Sequence, residues 1–357
     1  MKKLILPCIA LAFTASVASA QETDKLSIHG YLTQAYAISD TGSYLGIPSS
    51  GTTDYRTAAL QFRYSPSVAD NITLQLSHRR LGNDATTAGE APVQLDWAFY
   101  GRRFGNFDVK VGRSPIPAGI YNELRDVGVA LPMYRAPYNF YLEGSFTSET
   151  VDGVVAGYQT PGLSGWGLEA NAFAGGWDMT ERIVNASSQI IVQQVRIEKG
   201  FGGQLWVRTP VNGVRVGGGA SSSLSPTNAI LPGRWKEWHA SFDGRLRRVT
   251  LQSEFRNINT PDIDYNAWYA YAGAKVYRNL TLHGQADYAN ISVGGGPNLD
   301  FNDDVGVGAS WAFSPSLVLK LEGHSAKTYR TDDPPLRIGV DPSTRVKYLI
   351  TSLSVSF

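Results

Sequence analysis

His29, His78, His239, His283 and His324 are the side chains best suited to proton transfer or metal ligation near neutral pH, but they are scattered along the chain. None stands in the His-Glu-x-x-His spacing that binds zinc on a helix face. There is also no Gly-x-Ser-x-Gly elbow and no phosphate-cradling Gly-x-x-x-x-Gly-Lys run. Asp300, Asn302, Asp303 and Asp304 offer oxygen ligands to calcium, yet read first as an acidic surface loop. Cys8 is the single cysteine, so a chain cleaved after Ala20 has no thiol chemistry. No catalytic residue, metal or cofactor is expected. The remaining chemistry is non-covalent: fixed charges at mid-strand, Arg63, Arg79, Asp96, Arg102 and Lys110, and a second set around one long loop, Arg113, Glu123, Arg125, Asp126, Arg135 and Glu143.

The elements that would position these charges are strands. Two-residue alternation runs over Leu26 to Ile38, Tyr55 to Tyr64, Ile72 to Arg80, Val93 to Arg102 and Phe107 to Gly112. After the loop it resumes over Glu149 to Gln159, Gly167 to Ala174, Val195 to Arg208, Val214 to Ser222, Glu237 to Arg245 and Thr250 to Asn257. Ala267 to Tyr277, Leu280 to Tyr288, Asp304 to Phe313, Leu317 to Ser325 and Arg345 to Phe357 complete sixteen. Period two marks a sheet with unlike faces. In the fourth segment Val93, Leu95, Trp97 and Phe99 oppose Gln94, Asp96, Tyr100 and Arg102; in the eighth Arg196 and Glu198 share a face with Trp206 and Arg208. Glu254, Arg256, Asp287, Lys320 and Glu322 fall on polar faces as well. Short turns recur after every second strand and long polar loops lie between them, which places both termini at the trimmed end of an antiparallel meander.

The longest connection, at about 114–148, begins RSPIPAGIYNELRD. Pro115 and Pro117 fix φ and stiffen its entry, and Tyr121, Tyr134, Tyr138, Phe140 and Tyr141 give it surface to pack. A short helix is expected near Tyr121 to Val127.

Lys2 and Lys3, the apolar run Leu4 to Val17 and Ala18-Ser19-Ala20 have the parts of a secretory signal. Residues 1–20 are therefore read as a signal peptide and 21–357 as one barrel domain. Losing Lys2 and Lys3 leaves 30 basic residues against 31 acidic ones, and with no clustered basic face nucleic-acid binding is not expected.

Tyr64, Phe104, Phe107, Tyr158, Trp166, Tyr277, Trp311 and Phe313 stand beside the short turns, where a membrane wall meets lipid headgroups. The chain ends YLITSLSVSF, with Leu349, Thr351, Leu353, Val355 and Phe357 on one face. This stripe resembles the closing strand of Gram-negative outer-membrane barrels, whose terminal Phe is read by the barrel-assembly machinery. From VGRSPIPAGIYNELRD outward, the mature chain resembles a sixteen-stranded porin related to the general and phosphate-selective porins.

The resemblance implies an all-β fold: a sixteen-stranded antiparallel transmembrane β-barrel whose third loop folds inward. It implies a passive channel for small hydrophilic solutes or ions, a homotrimer, and contact with outer-membrane lipid and lipopolysaccharide. The location would be the outer membrane of a Gram-negative bacterium, with both termini periplasmic. Arg63, Arg79, Arg102 and Lys110 would then form a basic wall facing acidic groups of the loop. The alternatives are a plugged barrel acting as an adhesin or structural protein, or an outer-membrane hydrolase with catalytic groups assembled from distant strands.

Overall fold

The computed structural model describes residues 25–88, 92–141, 148–160, 162, 164–339 and 345–357. The expected signal peptide and Glu143 lie outside the described residues. In chain order the strands are β1 (Leu26–Ser39), β2 (Ser43–Tyr44), β3 (Thr52–Tyr64), β4 (Asp70–Leu81), β5 (Gln94–Phe104), β6 (Phe107–Pro115), β7 (Thr150–Gln159), β8 (Gly167–Val184) and β9 (Ile190–Arg208). They continue as β10 (Val214–Ser225), β11 (Gly233–Leu246), β12 (Val249–Asn259), β13 (Ile263–Lys275), β14 (Leu280–Val293), β15 (Leu299–Ser314), β16 (Leu317–Thr328), β17 (Thr331–Asp333) and β18 (Val346–Ser356). One four-residue helix, α1 (Ala85–Ala88), follows β4.

Sixteen strands close a single antiparallel barrel, while β2 and β17 pair with each other as a separate ribbon. Closure gives every wall strand two partners over most of its length, as a β-sheet in lipid needs. The seam is β1 on β18, in register from Tyr31↔Ser356 to Ser39↔Tyr348. Phe357 extends it, exchanging two 3.0 Å backbone bonds with Gly30.

The two faces differ as a membrane wall requires. Leu74, Leu251 and Leu353 lie on the outside, 38%, 42% and 46% exposed, whereas Thr33, Gln75 and Ser354 are buried on the inside. Across the seam Thr33 Oγ1 donates to Ser354 Oγ at 3.0 Å. Near the short turns, Phe104, Phe107, Trp166, Tyr277 and Phe313 are exposed, and Phe107 rests on Tyr158 with ring centroids 4.5 Å apart.

Bulges interrupt the simple alternation at several places, and two of them move charged side chains to the other face. Gln75 pairs with Trp97 but Leu76 pairs with Leu95, so Asp96 is an extra residue. A bulge sets two residues opposite one, and from there to the next turn the faces exchange. Trp97 and Phe99 join the lumen face opposite Gln75 and Thr73, and Tyr100 and Arg102 go outside opposite Ile72 and Asp70. Arg102 therefore leaves the pore wall: it pairs with Asp70 at 3.3 Å and lies over Phe104. On β9, Ser222 pairs with Phe201 and Leu224 with Glu198, with Lys199 at φ 51° supplying the extra residue. Val195 and Ile197 are thereby buried inside, and Arg196 points outward.

Candidate functional site

The long connection after β6 enters the lumen. Pro115 pairs with Thr150, and Ile116 N donates to Glu149 O at 2.8 Å before the chain departs. Its path is fixed by wall side chains that bond its backbone. Gly119 N donates to Gln204 (2.5 Å), Ile120 N to Glu254 (3.0 Å), Tyr134 N to Glu322 (3.0 Å) and Asn139 N to Asp287 (3.2 Å). From the wall, Lys320 Nζ donates to Gly128 O and Met133 O at 2.6 and 2.7 Å, and Arg256 to Phe140 O at 2.6 Å. Charges expected to stand in water are here spent on satisfying a buried loop, whose polar backbone would otherwise be costly inside the barrel. Gly128 passes so close to the seam that a Cβ would collide with the hydroxyls of Thr33 and Ser354.

Aromatic packing completes the anchorage. Tyr121, Phe140 and Tyr141 cluster with Trp206, Tyr269 and Tyr271 of the wall. The expected helix near Tyr121 to Val127 does not form. Successive turns replace it, each closed by one bond spanning three residues: Leu124 N to Tyr121 O (2.8 Å), Val127 N to Leu124 O (2.9 Å) and Ala130 N to Val127 O (2.8 Å), while Ile120 N and Tyr121 N donate to Glu254 and to Tyr141 Oη.

On its other side the loop faces β3, β4 and β5 across open space. A cavity of about 580 Å³ is bounded there by Thr57, Arg79 and Asp96 of the wall and by Arg125, Asp126 and Glu149 of the loop. A narrower space of about 60 Å³ continues past Arg79, Arg125 and Asp126 toward Arg135 and Arg330. Arg125 is buried and lies 3.4 Å from Glu149. Thr57 Oγ1 donates to Asp126 O at 3.5 Å. Asp96 accepts from Gln75 at 2.6 Å. Arg135 lies over the rings of Tyr55 and Tyr138. Glu123 is exposed. Arg63 pairs with Ser27 and Thr73 near the short-turn end, and Lys110 sits over Phe99; neither lines these two spaces.

Arg113 is displaced from its expected place. It belongs to β6, on the outer face with Val111, and its guanidinium meets Asp152 at 2.6 Å and Asp178 at 3.3 Å. Arg196 adds contacts to the same carboxylates at 2.6 and 3.2 Å. Sequence alternation hides this cluster because the second bulge must be known to turn Arg196 outward. The wall is also open here. β5 pairs with β4 as far as Gln94 but with β6 only as far as Ala98↔Arg113. Arg113 crosses the gap to donate to Leu95 O at 3.2 Å, and side chains of both faces line the larger cavity.

No family model and no curated protein sequence matches the chain. Solved structures do match over nearly its whole length. Salmonella typhi OmpF in complex with daunomycin has a TM-score of 0.63 at 12% identity, covering 93% of this chain and 97% of that one. The outer-membrane channel DcaP of Acinetobacter baumannii gives 0.61 at 10% identity, with the same coverage. The anion-selective porin from Comamonas acidovorans gives 0.57 at 11% identity, covering 93% of this chain and 99% of its own. With its closed ring of sixteen antiparallel strands, the chain carries the fold of the outer-membrane porins.

Proposed function

We propose that this protein is an outer-membrane porin, a passive diffusion channel for small hydrophilic solutes or ions in a Gram-negative bacterium. The carrying observation is a lipid-compatible outer wall around a lumen narrowed by an inward loop to a charged passage between Arg79 and Thr57 on one side and Arg125 and Asp126 on the other. Residues 1–20 would direct export, Phe357 would be read by the barrel-assembly machinery, both termini would be periplasmic, and the long loops would meet lipopolysaccharide. Arg79, Asp96, Arg125, Asp126 and Arg135 are the residues assigned to the constriction. A channel of this kind needs only weak, replaceable contacts along a hydrated path.

A homotrimer is part of the reading. Vibrio cholerae OmpT, which shares 10% identity with this chain, is described in a trimer form. Arg113 stands three outward positions above Phe107, roughly 20 Å along a strand rising ~3.3 Å per residue. Allowing for tilt, that is about half the ~25 Å apolar band, a depth where Arg on a lipid face costs about 2–4 kcal/mol. Four clustered charges at that depth call for a protein neighbour.

The second reading is a plugged barrel. Tyr134, Phe140 and Tyr141 are buried inside the ring, which favours occlusion. Recording single channels of the purified protein in a planar bilayer separates the two: steady conductance is expected, and its absence would favour the plug.

A further inference from the structure

At the long-loop end lies a cavity of about 540 Å³ that the channel reading does not use, a size typical of small-molecule sites. Its walls are aliphatic and aromatic: Ile263, Ile291 and Phe301 are buried in them. Around the rim Ile183, Val293 and Ile338 remain 40%, 46% and 41% exposed. The inner end is different. Arg182 and Arg330 reach it with side chains almost wholly buried. Arg182 donates to Thr331 O at 2.9 Å and faces Asp332 at 3.3 Å, yet its buried Nε–H has no acceptor. A buried donor left unpaired costs stability, and Arg182 is among the residues that line the cavity. Glu181 does not compete for that donor, since its carboxylate accepts from Ile230 N and Leu231 N at 2.7 and 3.3 Å and so pins one wall. At the rim Arg337 is an exposed cation and Asp262 an exposed carboxylate, so the surplus positive charge lies at the inner end, with Arg182 and Arg330.

From this arrangement we infer that the outer mouth holds a capture site for a small amphipathic monoanion, a carboxylate on an alkyl or aryl body. The body would lie against Ile263, Ile291 and Phe301. The carboxylate would accept from Arg182, beside the charge of Arg330, whose Nε donates to Tyr138 Oη at 2.7 Å. Arg330 also lines the narrow space leading to Asp126 and Arg79, so a captured anion would be released toward the constriction. The inference deepens the porin reading by naming a solute class, but binding needs no open pore and can be measured separately.

The test uses the full-length protein in lipid nanodiscs, titrated with hexanoate, hexanol and hexylamine and followed by calorimetry with empty discs subtracted. Saturable hexanoate binding, about tenfold tighter than that of hexanol or hexylamine, is expected. Arg182→Gln should remove that preference. Because Arg182 also supports β17, the rim variants Ile183→Ser and Val293→Ser give an independent check: both should weaken hexanoate several-fold with melting unchanged. Equal binding of hexanoate and hexanol, or rim variants that bind as the parent does, would overturn the site. Failure of the porin reading would show instead as no conductance in bilayers, whatever the titration gives.

Discussion

Glu254 shows how much of the lumen's architecture rests on single side chains. Its carboxylate accepts from Ile120 N, Tyr141 Oη, Ser241 Oγ and Tyr269 Oη within 2.5 to 3.0 Å. Glu254→Ala would strand four buried donors, at about 1–3 kcal/mol for each that finds no water. The loop is expected to loosen while the ring survives, so single-channel conductance should rise as the fold-dependent gel mobility of the barrel stays. An unchanged conductance would mean that the loop does not limit flow. Arg79 acts at the other edge of the passage. Arg79→Ala should shift permeability toward cations by a few-fold, read from reversal potentials in a salt gradient; an unmoved potential would remove Arg79 from the constriction.

Among the elements, the inward loop and the β2–β17 ribbon make different demands. The loop is bonded by β9 and by β12 to β16, so it is part of the wall's own packing more than a hinged flap. Gly128→Val should disturb it from the seam side, because the added side chain meets Thr33 and Ser354; broadened or multiple conductance levels are expected. The ribbon carries Asp332, whose carboxyl is pushed up to about 6 by burial and then by the neighbouring Asp84 charge. A carboxyl raised on folding disfavours the folded state while ionised, and that penalty shrinks as pH falls through 6. Melting should therefore shift upward from pH 7.5 to pH 5, by more in the parent than in Asp332→Asn. Equal shifts in the two proteins would place the effect elsewhere.

Across the whole molecule the outer surface is uneven. β18 shows Leu349, Leu353 and Phe357 to the outside, as lipid requires, while β6 to β9 present the cluster of Arg113, Asp152, Asp178 and Arg196. The proposed interface between copies would cover the charged face and leave the apolar one to lipid. The double reversal Arg113→Glu with Arg196→Glu sets four negative groups together and should convert an oligomer to monomers in mild detergent, read by light scattering with detergent subtracted. An unchanged mass would place the contact on another face.

What the amino-acid order determined by itself was the wall. Period two, short turns after every second strand and the terminal stripe from Leu349 to Phe357 are local properties, and they suffice for sixteen antiparallel strands with apolar residues outside. The bulges were not legible, since the extra residue at Asp96 is defined only by what Gln75 and Leu76 choose as partners on the neighbouring strand. That one insertion moved Trp97 inward and Arg102 outward. Likewise the sequence marked Arg79, Arg125 and Asp126 as charged, but pairings across more than a hundred residues decided which charges hold the loop, as Glu254, Lys320 and Glu322 do, and which border the passage. Alternation is written along the chain; facing is settled only when the ring closes and its loop is seated.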